Sequence, residues 1–216
     1  MGERVKCNAL VLVSHGYGET SKMLTAFTDK FGKISISAKG AAKPTGPFIA
    51  CSQEFCYSSM ELSEGRNGIY TLCECELINS FYALRENIDV LYTAYEIGKA
   101  VMTVAQEDFP DEDLLRLTLN TLFYLCKISS EAKNSEEASV TVPERIDFVK
   151  SVFYIRLASD QGFFDQPEKY RENACGLAVA HITECDFKEL FAFSLSQAAC
   201  EELQEIAERA KTAVLD

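Results

Sequence analysis

The side chains best placed to do chemistry are lysines and aromatics crowded into the first quarter of the chain. Lys22, Lys33, Lys39 and Lys43 lie on or beside two strand-like runs, and Arg4 and Lys6 flank the first apolar run. Tyr17, Phe27, Phe31 and Phe48 are interleaved with them. Cations that track phosphates and flat rings on which bases stack are the two requirements for binding single-stranded nucleic acid. The rings are not equivalent. Phenylalanine is usually buried, so Phe27 suits a core, whereas Tyr17, in a Gly-Tyr-Gly stretch, is freer to serve as a platform. A lone surface lysine is ordinarily just solvated; these gain meaning as a cluster on adjacent hairpin strands.

The charge balance follows the same division. Residues 1–45 hold seven basic side chains against three acids, a net of +4, so the remainder carries −16 of a chain total of −12. A polyanion would therefore meet the amino-terminal part, while the acidic remainder is solvated or faces a basic partner.

Other chemistries find less support. Ser14 and His15 are neighbours on or next to a strand and point to opposite faces, a poor nucleophile–base geometry. His181 and Cys185 share a helical face at i, i+4, yet no orienting group or further ligand accompanies them. Glu19 has no partner base or second carboxylate. Gly16-Tyr17-Gly18 lacks the lysine and following helix of a phosphate loop. Nine cysteines, odd in number and irregular in spacing, read as small buried hydrophobes of a reduced, cytoplasmic protein. Cys73 and Cys75 share a strand face about 7 Å apart, unlike a zinc knuckle. No secretory leader and no run of about 20 apolar residues is evident. The expectation is a protein that is not an enzyme, with no cofactor, no metal and no membrane partner.

These side chains must be held by defined elements. Ala9–Val13 is a continuous apolar run suited to a buried strand, and Ile34-Ser35-Ile36-Ser37-Ala38 alternates as a half-buried strand does. Gly32 separates Met23–Thr28 from that run, where a hairpin needs positive φ. Phe55–Leu62 and Ile69–Ile78 follow, divided by a loop ending in Asn67-Gly68. Five short strands within about 80 residues suit an OB-fold or an SH3-like barrel. Thereafter the period becomes helical. Ile88, Leu91, Tyr92 and Tyr95 form one stripe, and Leu115, Leu119, Leu122 and Cys126 a second. Val149, Val152, Phe153 and Leu157 form a third, and Leu203, Ile206, Ala207, Ala210 and Val214 a fourth. Residues 167–185 are helical despite Gly176. Ser129–Val142 reads as a solvated loop. The last helix starts from a cap at Ser194 or Ser196. The fold class is α+β, a five-stranded barrel over residues 1–80 and an all-helical domain over residues 81–216.

The order Tyr17-Gly18-Glu19, Phe31-Gly32-Lys33, Lys39-Gly40-Ala41 resembles the amino-terminal OB-fold of the RecO family of recombination mediators. The likeness is strongest over residues 9–42. It recurs at residues 146–162, similar to the helix before the family's zinc-binding insert, and at residues 180–193, similar to its final helical pair. The two CxxC pairs that many members carry after the glycine matched by Gly162 are missing here, so the resemblance implies no zinc. It does imply a role in DNA repair and recombination. Single-stranded DNA would be held by Arg4, Lys6, Tyr17, Lys22, Lys33, Lys39 and Lys43. The partners would be RecR and the acidic carboxy-terminal tail of single-stranded DNA-binding protein, with recombinase loading or strand annealing as the outcome. A slot for that tail needs apolar walls and a basic rim, for which Lys150, Arg156, Lys169 and Arg171 are candidates. The alternative is an OB-type adaptor with vestigial DNA binding.

Overall fold

The computed structural model describes residues 4–215, without the side chains of Arg66 and Glu136. Five strands form the first part: β1 (Arg4–Tyr17), β2 (Ser21–Thr28), β3 (Gly32–Ala38), β4 (Tyr57–Glu64) and β5 (Ile69–Asn79). They close in the order β1-β2-β3-β5-β4, antiparallel except for the β3–β5 seam, which is parallel. This is the closed five-stranded topology of an OB-fold, and it settles the choice against an SH3-like barrel.

β1 is long enough to serve two neighbours. Arg4–Leu10 pair with β4, while Ala9–Tyr17 pair with β2, and the register shifts between Val11 and Val13. A bulge at that point bends the strand and increases its twist, which closure of a small barrel requires. Alternate side chains fill the interior: Ala9, Val11, Leu24, Ala26, Ile34, Ile36, Met60, Leu62 and Leu72 are all buried in one cluster. The alternation read from Ile34 to Ala38 thus has its apolar members inside.

The β2–β3 turn is built by its own side chains. The Thr28 hydroxyl accepts from the Phe31 N–H and donates to the Gly32 carbonyl. Asp29 receives the Asn8 backbone N–H and side-chain amide, both at 2.9 Å. Gly32 has φ +61°, as the hairpin demanded, and a second constraint also applies. Residues 105–115 belong to this unit along with residues up to 81, and Gln106 accepts the Lys33 N–H at 3.0 Å. A Cβ on Gly32 would run into the carbonyl oxygens of Gln106 and Phe109.

The second unit comprises residues 82–104 and those from 116 onward. Its helices lie in α1 (Ile88–Val104), α2 (Glu112–Asn134), α3 (Glu136–Val140), α4 (Val142–Asp160), α5 (Ala174–Glu184) and α6 (Gln197–Leu215). The Asp111 carboxylate receives the Leu114 N–H, an N-cap in the acidic stretch ahead of α2. α4 is the centre of the unit, with ten residues from Val142 to Ala158 buried. α6 lays Leu203, Ile206, Ala207 and Ala210 inward, and Ser196, of the two candidate caps, accepts the Ala199 N–H.

Three sequence expectations need correction. The stripe Ile88–Tyr92–Tyr95 marks a helix, but it faces outward: Ile88 is 63% exposed and Tyr92 67%. The buried face of α1 is Val90, Ala94, Ile97, Gly98 and Val101. Residues 129–142 are not a loop. α2 continues to Asn134 with Ser129 buried, and α3 follows, capped by the Ser135 hydroxyl. The segment expected to be helical over 167–185 is split into a single 3-10 turn, Glu168–Tyr170, and α5, whose N-cap is Asn173.

Gly32→Ala is expected to combine a left-handed backbone penalty of about 1–2 kcal/mol with a clash against two carbonyl groups. Urea unfolding should show a loss of about 2 kcal/mol or more; a change within experimental error would mean that residues 106–109 do not pack against this turn.

Candidate nucleic-acid interface

The chain between β3 and β4 brings the cationic residues toward the β1–β2 turn. Just after β3, the Ala42 N–H donates to the Thr20 carbonyl at 3.0 Å, crossing to the other turn. Two tight turns follow, Lys43 N–H to Gly40 and Gly46 N–H to Lys43. Gly46 permits this folding back, because a Cβ there would meet the Gly40 carbonyl. The result is an open cavity of 550 Å³ lined by Tyr17, Ser21, Ser37, Lys39, Lys43 and Pro47, with Thr20, Gly40, Thr45 and Gly46 between them. Tyr17 is 60% exposed at its mouth. Lys39 and Lys43 are also exposed. A ring, two ammonium groups and four serine and threonine hydroxyls around one concavity can hold a base and its neighbouring phosphates.

Other predicted residues are placed elsewhere. Lys22 stands on β2 opposite Gly16 and Ala38, near the same end of the barrel, with its ammonium 3.4 Å from the Ser52 carbonyl. Lys33 lies at the opposite end of β3, in a polar hollow shared with Glu64, Glu107 and Asp108. Arg4 is bound to Glu61 at 2.8 Å and lies 3.8 Å from Glu74. Lys6 lines a hollow with Glu61, Glu74 and Glu76. The structure therefore gathers Tyr17, Lys39 and Lys43, with Lys22 adjacent, and separates Arg4, Lys6 and Lys33 from them. Phe27 is fully buried, while Phe31 and Phe48 pack against the core; Phe31 rests on Tyr70 with centroids 5.6 Å apart.

The basic residues proposed for a protein-binding rim are dispersed over the helical unit. Lys150 pairs with Asp147, Lys169 with Glu205, and Arg171 lies 4.0 Å from Asp165 and Glu168. Arg156 is mostly buried. Its Nε donates to Asp160, its Nη1 donates to the carbonyls of Ile182 and Cys185, and its guanidinium stacks over Phe187 at 4.4 Å. It ties α4 to the end of α5 and supports Phe187 from behind.

Phe187 forms part of a slot that sequence reasoning missed. A 370 Å³ cavity is lined by Phe123, Tyr124, Phe187 and Phe191, with Lys127 and Lys188 on its edge and Asn120 and Ala192 completing it. Tyr124 and Phe191 stack with centroids 4.6 Å apart. The available signal was Phe123, an aromatic off the buried stripe of α2 with Lys127 one turn later.

The remaining nucleophile candidates are differently engaged. His181 Nε2 lies 3.0 Å from the Glu189 carbonyl, and its ring packs edge-on against Phe193. Burial pushes the Cys185 thiol up, with Arg156 only partly opposing. Burial also pushes Cys7 and Cys75 up to about 12, with Asp29 adding to the effect at Cys7 and contact with Cys51 at Cys75. Among the described residues no group of three or more His, Cys, Asp or Glu side chains is arranged to hold a metal, and no helix is long and apolar enough to cross a membrane.

Residues 1–81 match the family model described as "Recombination protein O N terminal". The chain is 28% identical to the DNA repair protein RecO of Acetivibrio thermocellus over 95% of this chain and 89% of that protein. It is 31% identical to that of Caldicellulosiruptor saccharolyticus over 75% of this chain and 60% of the relative. Against that of Bacillus subtilis the identity is 35%, over 54% of this chain and 46% of the relative.

Arg156→Lys keeps the charge but cannot fork to two carbonyls and a carboxylate. Chemical denaturation should show a loss of about 2 kcal/mol or more; an unchanged midpoint would mean that these bonds do not hold α4 to α5.

Proposed function

Since the chain belongs to the RecO family, we propose that it is a DNA-repair protein acting as a non-catalytic mediator in the cytoplasm, and that its barrel holds single-stranded DNA. The observation that carries this reading is the convergence of Tyr17, Lys39 and Lys43 on one open cavity. Tyr17 stacks a base, and the two ammonium groups, helped by Lys22, take the flanking phosphates. Hydroxyls of Ser21, Ser37 and Thr20 are available to sugar and phosphate oxygens. Arg4 and Lys6 contribute little, because their charges are countered by Glu61, Glu74 and Glu76.

The second half of the function is protein engagement. An acidic peptide such as the tail of single-stranded DNA-binding protein calls for an apolar slot with cations at its edge. The cavity between Phe123, Tyr124, Phe187 and Phe191 has these features, with Lys127 and Lys188 poised to meet the carboxylates. Holding the DNA at one unit and its coating protein at the other, with RecR as a further partner, would assist recombinase loading or strand annealing. The adaptor alternative keeps only the helical half of this scheme.

Two measurements separate these readings. Two to three lysine–phosphate contacts give a log–log slope of affinity against salt of about −1.4 to −2.1 for a single strand. Lys39→Glu with Lys43→Glu should weaken oligonucleotide binding at least about tenfold, and Tyr17→Ala should cost about 1–3 kcal/mol, while Lys6→Glu changes affinity little. A flat salt response, or a Lys6 effect equal to that of the double variant, would refute the site. Separately, Phe191→Ala and Lys188→Glu should each weaken an acidic tail peptide about fivefold or more without affecting oligonucleotide binding; retention of the peptide by both variants would move the slot elsewhere. Intact peptide binding together with absent DNA binding would favour the adaptor.

A further inference from the structure

Residues 105–113 read Ala-Gln-Glu-Asp-Phe-Pro-Asp-Glu-Asp, and no lysine or arginine stands between Lys99 and Arg116. The run sets one aromatic ring among acids and presents it to solvent. Residues 106–110 are exposed, as are Glu112 and Asp113. Phe109 itself is 63% exposed, although phenylalanine is usually buried. Main-chain bonds hold this loop in place. Gln106 accepts the Lys33 N–H at 3.0 Å, and Glu107 forms backbone bridges with Gly32 and Lys33. Asp108 takes φ +58°, in the left-handed region where aspartate is enriched. Pro110 fixes its own φ, and Asp111 caps α2. The Phe109 ring is thus carried on an anchored loop, with little chain entropy left to lose on contact.

The helical unit carries the complementary surface. Phe123, Tyr124, Phe187 and Phe191 line the 370 Å³ slot, and Phe123 is 64% exposed there. Lys188 on its edge makes no ion pair among the described residues. Lys127, on the same edge, has only Glu131 at 4.0 Å. An apolar hollow with two weakly engaged ammonium groups matches a single ring flanked by carboxylates in both shape and sign.

We propose that the slot also takes the loop of residues 107–113 from a second copy of this chain, which extends, and rests on, its reading as a seat for acidic peptides. Phe109 enters among the rings, and the flanking carboxylates meet Lys127 and Lys188. Charge complementarity names this occupant. At a net charge of −12 two copies repel overall, so they associate only where acids of one meet cations of the other around an apolar centre. The loop is tied to β3 by its main chain, so it acts as a fixed projection toward another molecule. Loop and slot are different surfaces, so the contact is heterologous and joins copies into rings or open chains. Self-association and capture of another acidic peptide then exclude each other at the slot.

The test is sedimentation velocity of the intact chain over a wide range of concentration. The parent should associate as concentration rises. Phe109→Ser should weaken that association at least about fivefold while keeping the parent's melting temperature, and Phe191→Ala should weaken it by a similar factor. Phe163→Ser removes another exposed ring and should change it less than about twofold. Mixing the Phe109→Ser and Phe191→Ala proteins should restore association, because the first keeps its slot and the second its loop. A parent that stays monomeric throughout, association indifferent to Phe109→Ser, or a mixture no better than its components would each overturn the proposal. So would a tail-peptide affinity raised by Phe109→Ser alike at every protein concentration, which would put the loop in its own slot. Peptide capture is scored separately. An acidic tail peptide bound by the parent and lost in Phe191→Ala supports the tail reading even if copies fail to associate. Loop-dependent association without peptide binding would confine the slot to copies of this chain.

Discussion

The barrel closes along a parallel seam of only three residue pairs, Ser35 with Ile69, Ile36 with Tyr70 and Ser37 with Thr71. Every other junction is a longer antiparallel ladder. Parallel pairing is slightly weaker per residue than antiparallel, and this seam has no covalent turn beside it. Its position still determines much of the candidate surface. Ile36 is buried inside, so Ser35 and Ser37 face out; β3 must then end at Ala38 and release Lys39 at the rim. Were the seam to slip by one residue, Ile36 would turn outward and the serines inward. The interior packing of Ile34, Ile36, Met60 and Leu62 therefore fixes the cationic site indirectly: it pins the register, and the register places the lysine.

The loop that follows converts that placement into a cavity. Ala41 is buried while Ala42 is bonded back to Thr20, so the loop is anchored on the barrel at its start. Lys43 is thereby carried toward Tyr17, although 26 residues separate them in the chain. Neither residue needs a special local environment. What makes them a candidate site is that two turns, one after β1 and one after β3, lie at the same end of the closed barrel.

The local elements of this architecture were legible in the sequence, and their partners were not. Strict alternation from Ile34 to Ala38, Gly32 at the hairpin and the apolar run at residues 9–13 all announce strands because one face must be buried. The seam and the bulge at Val11–Val13 depend on long-range pairing, which no local pattern encodes. Helix α1 shows the same limit from another side. Ile88, Tyr92 and Tyr95 have the right spacing, but burial went to Val90, Ala94, Ile97 and Val101, a second stripe of the same period on the same helix. Residues 129–142 misled through composition. Their Ser, Asn and Glu suit a loop, yet Ser129 is buried, and Glu131 receives Arg145 at 2.6 Å while Lys133 reaches Glu86, contacts that favour helix once tertiary neighbours exist. At the site, residue types suggested seven DNA-binding candidates, and only three-dimensional pairing separates Tyr17, Lys39 and Lys43 from Arg4 and Lys6, whose carboxylate neighbours come from β4 and β5.

An overall charge of −12 does not by itself oppose a polyanion at the barrel. Electrostatic interactions between exposed charges are screened beyond about 8 Å at physiological ionic strength, so a phosphate at Lys39 and Lys43 responds chiefly to its immediate surroundings. The lining residues of that cavity include two lysines and no carboxylate. The acids are concentrated elsewhere, around Arg4 and Lys6, at Glu107 and Asp108, and along α6. For the DNA binding proposed above, this distribution has a directional consequence: the strand would be favoured at one rim of the barrel and discouraged along the β1–β4–β5 side. Repulsion would then confine it to one path as much as attraction, and two lysines would suffice where a uniformly basic surface would hold DNA in many orientations.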